Sequence, residues 1–474
     1  MTRHGMGDVV VLLPGITGSV LQRNGKDVWA PTPHAIVGGL WSLGRSLNEL
    51  ELRADPVDDD DSGDGVVATR LVPDVHVIPH FWCIDGYSAI TATIRGTFDV
   101  VPGRTFLEFP YDWRRDNRVS ARRLAAVALP ALHEQRKANP NAKLVLIGHS
   151  MGGLVARYFL ECLDGWKDTR LLITFGTPYR GSLNALNFLA NGFRKKVGPF
   201  SVADLSKLMR SFTSLYQLLP IYPCIDGGDG ILTRVAETPG LPPIIDKKKA
   251  NAAEQQFHRA IESAVAKRER AEMAEPYIVH PIVGLSQPTF QSAQLGNGRL
   301  TMLRTYEGDD LDGDGTVPRV SATPIEFDGL KADRGIYAPD RHAALQNSVS
   351  IRTQLLGLLN PVARPERFKD ARGGLRLELD DLYSLDEEIA VTVVSGTRRD
   401  TLVATVSDVA TARPLIGPMP LRAHDDETTH TLELGPLPAG CYRLEVVPAG
   451  GSIPGPRHSR SRRVGLHFSW SAAV

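Results

Sequence analysis

Four short apolar runs bounded by glycine or proline punctuate the first part of the chain: Asp8–Gly15 (DVVVLLPG), Lys143–Gly148 (KLVLIG), Leu171–Pro178 (LLITFGTP) and Tyr277–Gly284 (YIVHPIVG). Runs without polar alternation suit strands buried on both faces of a parallel sheet, and the helical patterns between them predict an α/β core. Pro281 inside the last run predicts an edge strand, or one that begins after the proline. From Gly181 to Glu275 the alternation stops. Helix-like stretches rich in Phe188, Phe193, Phe212, Leu215, Tyr216, Leu218 and Leu219 predict an inserted helical cap over about residues 183–275. The cap closes with a charged surface helix, Lys247–Ala274.

A helical pattern over His342–Leu359 is followed by Pro361 and Pro365, which mark a linker. The texture then changes to short alternating runs: LRLELD, IAVTVVSG, TLVATVSDV, THTLELG, CYRLEVV and RRVGLHFSW. Period-two patterning between turn-rich segments predicts a small β-sandwich. The division is therefore a core domain over residues 1–360 and an accessory domain over 370–474.

Composition narrows the function classes. The chain has 474 residues, 42% of them hydrophobic, with 54 basic and 54 acidic side chains. A net charge of zero provides no broad field to recruit nucleic acid or an anionic membrane, so contact with a membrane surface would be local and peripheral. The one basic cluster, Pro456–Arg463, lacks interleaved aromatics, and no nucleic-acid partner is expected. Cys83, Cys162, Cys224 and Cys441 are widely separated, which argues against a structural zinc site and a disulfide framework. No metal and no cofactor are expected. The first residues contain no secretory apolar segment, and no run approaches eighteen apolar residues, so the expected location is the cytoplasm.

Chemistry enters at Gly148-His149-Ser150-Met151-Gly152, a G-x-S-x-G match. An apolar run precedes it, and Leu154, Val155, Tyr158 and Phe159 follow at helical spacing. Such a strand–turn–helix elbow pushes a serine hydroxyl above the sheet edge, where an imidazole can take its proton during attack on a carbonyl. The acid and the histidine must follow in that order. Asp314, in GDGTVP after the last core run, stands where an orienting carboxylate is needed. The competing reading is calcium, since Asp310, Asp312, Asp314 and Gly315 imitate the start of an EF-hand loop. Counted from Asp310, however, the twelfth position is Ser321 and not glutamate. Of the histidines after Asp314, only His342 precedes the linker. An oxyanion hole needs two backbone N–H groups. Met151 supplies one, and the loop PGITGS supplies the other from Ile16 or Thr17, with Ile16 preferred.

These pieces resemble the lecithin:cholesterol acyltransferase family of α/β-hydrolases, which includes phospholipases and lipid acyltransferases. The similar stretches are VVLLPGITGSVL (Val10–Leu21), FPYDWRRD (Phe109–Asp116), GHSMGGLVARYFL, FGTPYRGS (Phe175–Ser182), SLYQLLP (Ser214–Pro220) and GDGTVP followed by His342. The resemblance implies Ser150 as nucleophile, Asp314 and His342 as its partners, and Ile16 and Met151 as oxyanion donors. Secreted members carry a disulfide between the first strand and the YDWR motif, whereas that segment here has only Cys83 and an acidic loop, Asp55–Gly65.

The expected function is a serine esterase or lipase acting on acyl esters of glycerolipids or phospholipids through an acyl-enzyme on Ser150. Leu215, Tyr216, Leu218 and Leu219 are the expected lining for a long acyl chain. One alternative is an acyltransferase that passes the acyl group to an alcohol. Another is a catalytically silent shell whose C-terminal domain recruits a partner. In any of these readings the C-terminal domain is expected to hold a protein partner, a membrane surface or a second copy of the chain.

Overall fold

The computed structural model describes residues 3–30, 49–73, 86–197, 201–270, 277–328 and 335–359. It also describes 375–378, 382–384, 388–395, 401–408, 413–424, 428–438, 440–449 and 464–471. The Pro361–Pro365 linker, Cys83 and the Pro456–Arg463 cluster lie outside these residues.

The apolar runs form a six-stranded sheet. Its strands are β1 (Val9–Leu13), β2 (Phe106–Glu108), β3 (Leu144–His149), β4 (Thr169–Phe175), β5 (Ile278–Gly284) and β6 (Ile336–Ala338). They run parallel in the order β6-β5-β4-β3-β1-β2. Alternate side chains serve two separate cores. Val9, Val11, Leu13, Leu144, Leu146 and Leu172 pack on one face, against α2 (Asn117–Ala138) and α3 (Met151–Cys162), through Leu124, Leu132, Leu154 and Phe159. Val10, Leu12, Val145, Ile147 and Ile173 pack on the other, against Ile90 and Ile94 of α1 (Ser88–Thr97) and Ile351 and Leu355 of the helix Val349–Leu359. Burial on both faces is why these strands carry no polar alternation.

Pro281 behaves differently from expectation. β5 begins at Ile278, before the proline, and is an inner strand flanked by β4 and β6. Pro281 pairs with Thr174 of β4, and pairing with β6 starts only at Ile282, so the proline occupies a stretch with one described neighbour. The missing N–H is tolerated there as at an edge. β2 and β6 went unread in the sequence because three residues are too few to display a period.

The segment 183–275 is less uniformly helical than its pattern predicts. It contains the helices Leu183–Asn191, Ser206–Ser211 and Thr213–Tyr216 and the strand pair Arg194–Val197 with Ser201–Asp204. The short strands Ile225–Asp226 and Leu232–Thr233 join Ser292–Gly296 and Arg299–Leu303 in a second small sheet. The charged stretch is helical over its described length. Lys247–Ala252 and Arg259–Arg270 are α-helix, with a π-helical stretch, Ala253–His258, between them.

Beyond residue 374 the described strands form two further sheets, whose strand pairings are antiparallel except that of Leu382–Ser384 with Val464–Ser471. Leu377, Val391 and Leu432 from one and Ala404, Val406 and Leu444 from the other share a single apolar cluster, separate from the two cores of the parallel sheet. All six alternating runs appear as strands. Pro414–Pro420, whose sequence PLIGPMP has no alternation, is a further one.

Candidate active site

β3 ends at His149 and α3 begins at Met151, so Ser150 alone makes the turn, at φ 51° and ψ −124°. A positive φ is uncommon for a residue with a Cβ and is retained only where the surroundings impose it. Here the surroundings are backbone packed on backbone. A Cβ on Gly148 would stand 2.7 Å from the Gly153 backbone, and one on Gly152 would meet the carbonyl oxygens of Pro14 and Leu13. The Ser150 N–H donates to Phe175 O at 2.8 Å, and its carbonyl accepts from Thr177 Oγ1 at 2.9 Å.

The two partners expected from the sequence reach this turn. Ser150 Oγ is 2.9 Å from His342 Nε2, and His342 Nδ1 is 2.8 Å from Asp314 Oδ2. The other carboxylate oxygen of Asp314 accepts from the N–H groups of Thr316 at 2.9 Å and Val317 at 2.7 Å. A carboxylate can only accept, so Nδ1 carries the imidazole proton and Nε2 presents its lone pair to the serine hydroxyl. His342 opens a 3₁₀ turn, His342–Asn347, and its N–H donates to Asp314 O at 2.9 Å. All three residues are buried, none more than 5% exposed.

The carboxylates of the imitation calcium loop turn to protein donors. Asp312 Oδ1 accepts from the N–H groups of Ser286 and Gly313, and Asp310 Oδ1 accepts from Asp312 N and Gln291 Nε2.

Ile16 and Met151 are both buried beside the elbow. Two neighbouring amides of the Pro14–Ser19 loop are already engaged: Gly15 N–H donates to Tyr87 Oη at 2.8 Å and Gly18 N–H to Gly15 O at 3.0 Å. A trans peptide sets its C=O and N–H in opposite directions, so the Gly15 carbonyl aimed at Gly18 turns the Ile16 N–H to the other side.

The expected acyl-chain lining needs correction. Leu215, Tyr216, Leu218 and Leu219 are at most 4% exposed and belong to the core cluster beneath the helical segment. Leu218 O accepts from Ser182 N at 2.8 Å, and Gly181 packs directly on Leu219 O. These residues cover one another and the body of the protein, so they present no open apolar surface to a ligand.

Several residues escaped the sequence reading. Tyr87 Oη lies 2.9 Å from His149 Nδ1, and His149 Nε2 lies 3.0 Å from the carbonyl oxygen of His342. The YDWR segment acts as a brace. Tyr111 Oη donates to Pro14 O at 2.8 Å, Trp113 Nε1 to Ser19 O at 3.1 Å, and the buried Arg114 pairs with Asp112 and Asp64. Arg115 binds Asp55 and three carbonyls of the acidic loop. Glycines of the FGTP and GHSMGG stretches could have signalled close approach. A Cβ on Gly176, at φ +54°, would stand 2.7 Å from both Asp314 Oδ2 and His342 Nδ1. One on Gly153 would stand 2.0 Å from Thr177 Oγ1. Gly153→Ala is therefore expected to destabilise the fold by about 2 kcal/mol through overpacking, read as a lowered urea midpoint. Displacing Thr177 would also loosen its bond to Ser150.

Part of the chain, including this elbow, resembles a known family. The family model described as lecithin:cholesterol acyltransferase matches residues 92–283. This stretch is similar to the lecithin:cholesterol acyltransferase family. It includes α2, the elbow and the helical segment, while Asp314 and His342 lie beyond it.

The lecithin-cholesterol acyltransferase-like protein 4 of Arabidopsis thaliana is 26% identical over 76% of each chain. The human lysosomal phospholipase A and acyltransferase is 31% identical over 114 residues, 23% of this chain and 27% of that protein. The chicken phosphatidylcholine-sterol acyltransferase is 32% identical over 25% of this chain and 29% of its own. The chain thus aligns with about a quarter of the length of the lysosomal phospholipase. Among solved structures, the mature lipase BlEst2 of Bacillus licheniformis overlays with a TM-score of 0.30 at 12% identity, covering 74% of this chain and 92% of that one.

Proposed function

We propose that the protein is a serine hydrolase of acyl esters on an α/β-hydrolase fold, with Ser150 as nucleophile, His342 as general base and then acid, and Asp314 as the carboxylate that orients it. The observation that supports this most strongly is the unbroken path from Ser150 Oγ through His342 to Asp314 beneath a serine held at positive φ. As Ser150 attacks a carbonyl carbon, its proton passes to His342 Nε2 and the imidazolium forms against the Asp314 carboxylate. The imidazolium then protonates the departing alcohol, leaving an acyl-serine. Water attacks that ester with His342 as base, the imidazolium returns the proton to Ser150 Oγ, and the carboxylic acid leaves. The negative oxygen of each tetrahedral intermediate is assigned to the N–H groups of Ile16 and Met151, the latter at the positive end of α3. Reaction with a fluorophosphonate probe tests the nucleophile, and a wild-type chain that stays unlabelled would overturn the reading.

The substrate class we propose is glycerolipid or phospholipid, supported by the similarity to a phospholipase A and acyltransferase and to a phosphatidylcholine-sterol acyltransferase. Those relatives also favour a second reading, in which an alcohol rather than water accepts the acyl group. The first half-reaction is the same. Product analysis after incubation with phospholipid vesicles, with and without a long-chain alcohol, separates the two.

We propose further that catalysis is confined to residues 1–360, that residues 183–275 act as a cap, and that residues 370–474 are a β-sandwich that meets a membrane surface, a partner or a second copy. The proposed setting is the cytoplasm. The separate apolar cluster of the C-terminal sheets supports the division. One contact to be lost on truncation is the bond from Arg341 Nη2 to Leu377 O at 3.2 Å. A chain ending at Arg364 is expected to hydrolyse an aryl butyrate within about threefold of the full-length rate, because all five proposed residues precede the cut. A truncated chain folded by circular dichroism yet inactive would show that the C-terminal part completes the site.

A further inference from the structure

A connected set of hydrogen bonds ties the oxyanion loop to the backbone of the histidine, and the protons along it have only one self-consistent arrangement. The carbonyl oxygen of His342 accepts and cannot donate, so His149 Nε2, 3.0 Å away, carries a hydrogen. Burial, and secondarily the charge of His342, hold His149 far down at a pKa of about 3, so its ring is neutral and has only that one hydrogen. His149 Nδ1 therefore accepts, and the Tyr87 hydroxyl at 2.9 Å donates to it. The lone pair of Tyr87 Oη in turn accepts the N–H of Gly15 at 2.8 Å. Tyr87 and His149 are both buried, so the protein and not solvent sets this order.

Gly15 is held on both sides, its N–H by Tyr87 and its C=O by Gly18, and its missing Cβ leaves it against Ser150, where a Cβ would stand 2.9 Å from that of the serine. The Ile16 N–H shares its peptide plane with the Gly15 carbonyl, which Gly18 holds directly, and Tyr87 holds the preceding plane, that of the Gly15 N–H, one Cα away. The far end of the chain fixes the His342 backbone, and with it the distance from Nε2 to Ser150 Oγ. The His149 and His342 rings lie with centroids 5.2 Å apart, so the coupling is direct.

We propose that Tyr87 and His149 are positioning residues that hold the Ile16 donor and His342 in fixed relation across the nucleophile. This rests on the reading of Ser150 as nucleophile. It assigns a task to the variable position of the G-x-S-x-G motif and to a tyrosine outside every motif. Both are buried and bonded to protein groups, so each acts on the transition state through another group.

The test uses the full-length chain with Tyr87→Phe, His149→Gln and the double variant. Steady-state kinetics on an aryl butyrate are measured beside inhibition by a trifluoromethyl ketone, whose adduct with Ser150 places an oxyanion in the hole. Tyr87→Phe keeps the ring and is expected to lower kcat roughly 10- to 100-fold with KM little changed. Affinity for the ketone should fall by the same factor. The double variant should lose no more than about threefold beyond the worse single one, because one chain is broken either way. Wild-type kcat in folded Tyr87→Phe would overturn the proposal, as would a loss that only follows the unfolded fraction. If Tyr87→Phe does not fold, His149→Gln is read by the same criteria. If neither folds, the network is a folding element and the proposal fails. A wild-type chain that neither hydrolyses the ester nor takes a fluorophosphonate would instead sink the underlying reading of Ser150.

Discussion

Replacement of Ser150 by alanine is expected to remove ester hydrolysis by a factor on the order of 10⁵ or more and to abolish fluorophosphonate labelling. The expected effect is large because the proposed mechanism passes through one atom, Ser150 Oγ. The same substitution should barely alter stability. The turn keeps its backbone bonds to Phe175 and Thr177, and alanine at φ 51° is no more strained than serine. The bond lost is that from Oγ to His342 Nε2, which leaves one imidazole nitrogen unpaired at a cost of about 1 kcal/mol. A urea midpoint close to that of the wild type together with lost activity would identify a chemical role. Retained hydrolysis in the variant would remove the elbow from the mechanism.

Asp314→Asn should cost a factor on the order of 10⁴ in kcat. The amide is nearly isosteric, so the loss would come from the proton and not from packing. If the introduced amide keeps its oxygen on the N–H groups of Thr316 and Val317, its NH₂ turns toward His342 Nδ1. The ring then accepts at Nδ1, its hydrogen moves to Nε2, and no lone pair remains to take the serine proton. Neither added calcium nor a chelator should change wild-type activity, because the Asp310 and Asp312 oxygens already accept from protein donors. Activity that appeared only with calcium would overturn this assignment.

How far the sequence could be read depended on the kind of signal each part carries. The long strands were legible because burial on both faces removes polar residues, as at Val9–Leu13 and Leu144–Ile147. The meeting of Ser150, Asp314 and His342 was legible because an elbow serine calls for an acid and a histidine later in the chain, in that order. Tyr87 was not, since nothing in a lone tyrosine says which amide it meets, and its bond to Gly15 closes a gap of 72 residues. The apolar stretch Leu215–Leu219 misled for a related reason. A hydrophobic cluster specifies that it must be covered but not by what, and here the protein itself covers it. Strands such as Ile225–Asp226 are too short to leave any pattern.

The backbone-on-backbone contacts at the elbow bear on how such a chain can change length over evolutionary time. Gly148 packs against Gly153, and Gly152 against the carbonyls of Leu13 and Pro14, so one residue inserted or deleted between Leu144 and Gly153 would break these contacts. Within β3 the same slip would also exchange the residues facing the two cores. The stretches separating Ser150, Asp314 and His342 face no such restriction where they cross loops, because those residues meet only in space. Insertions and deletions among relatives should therefore accumulate between the three residues, and the five-residue elbow should keep its length.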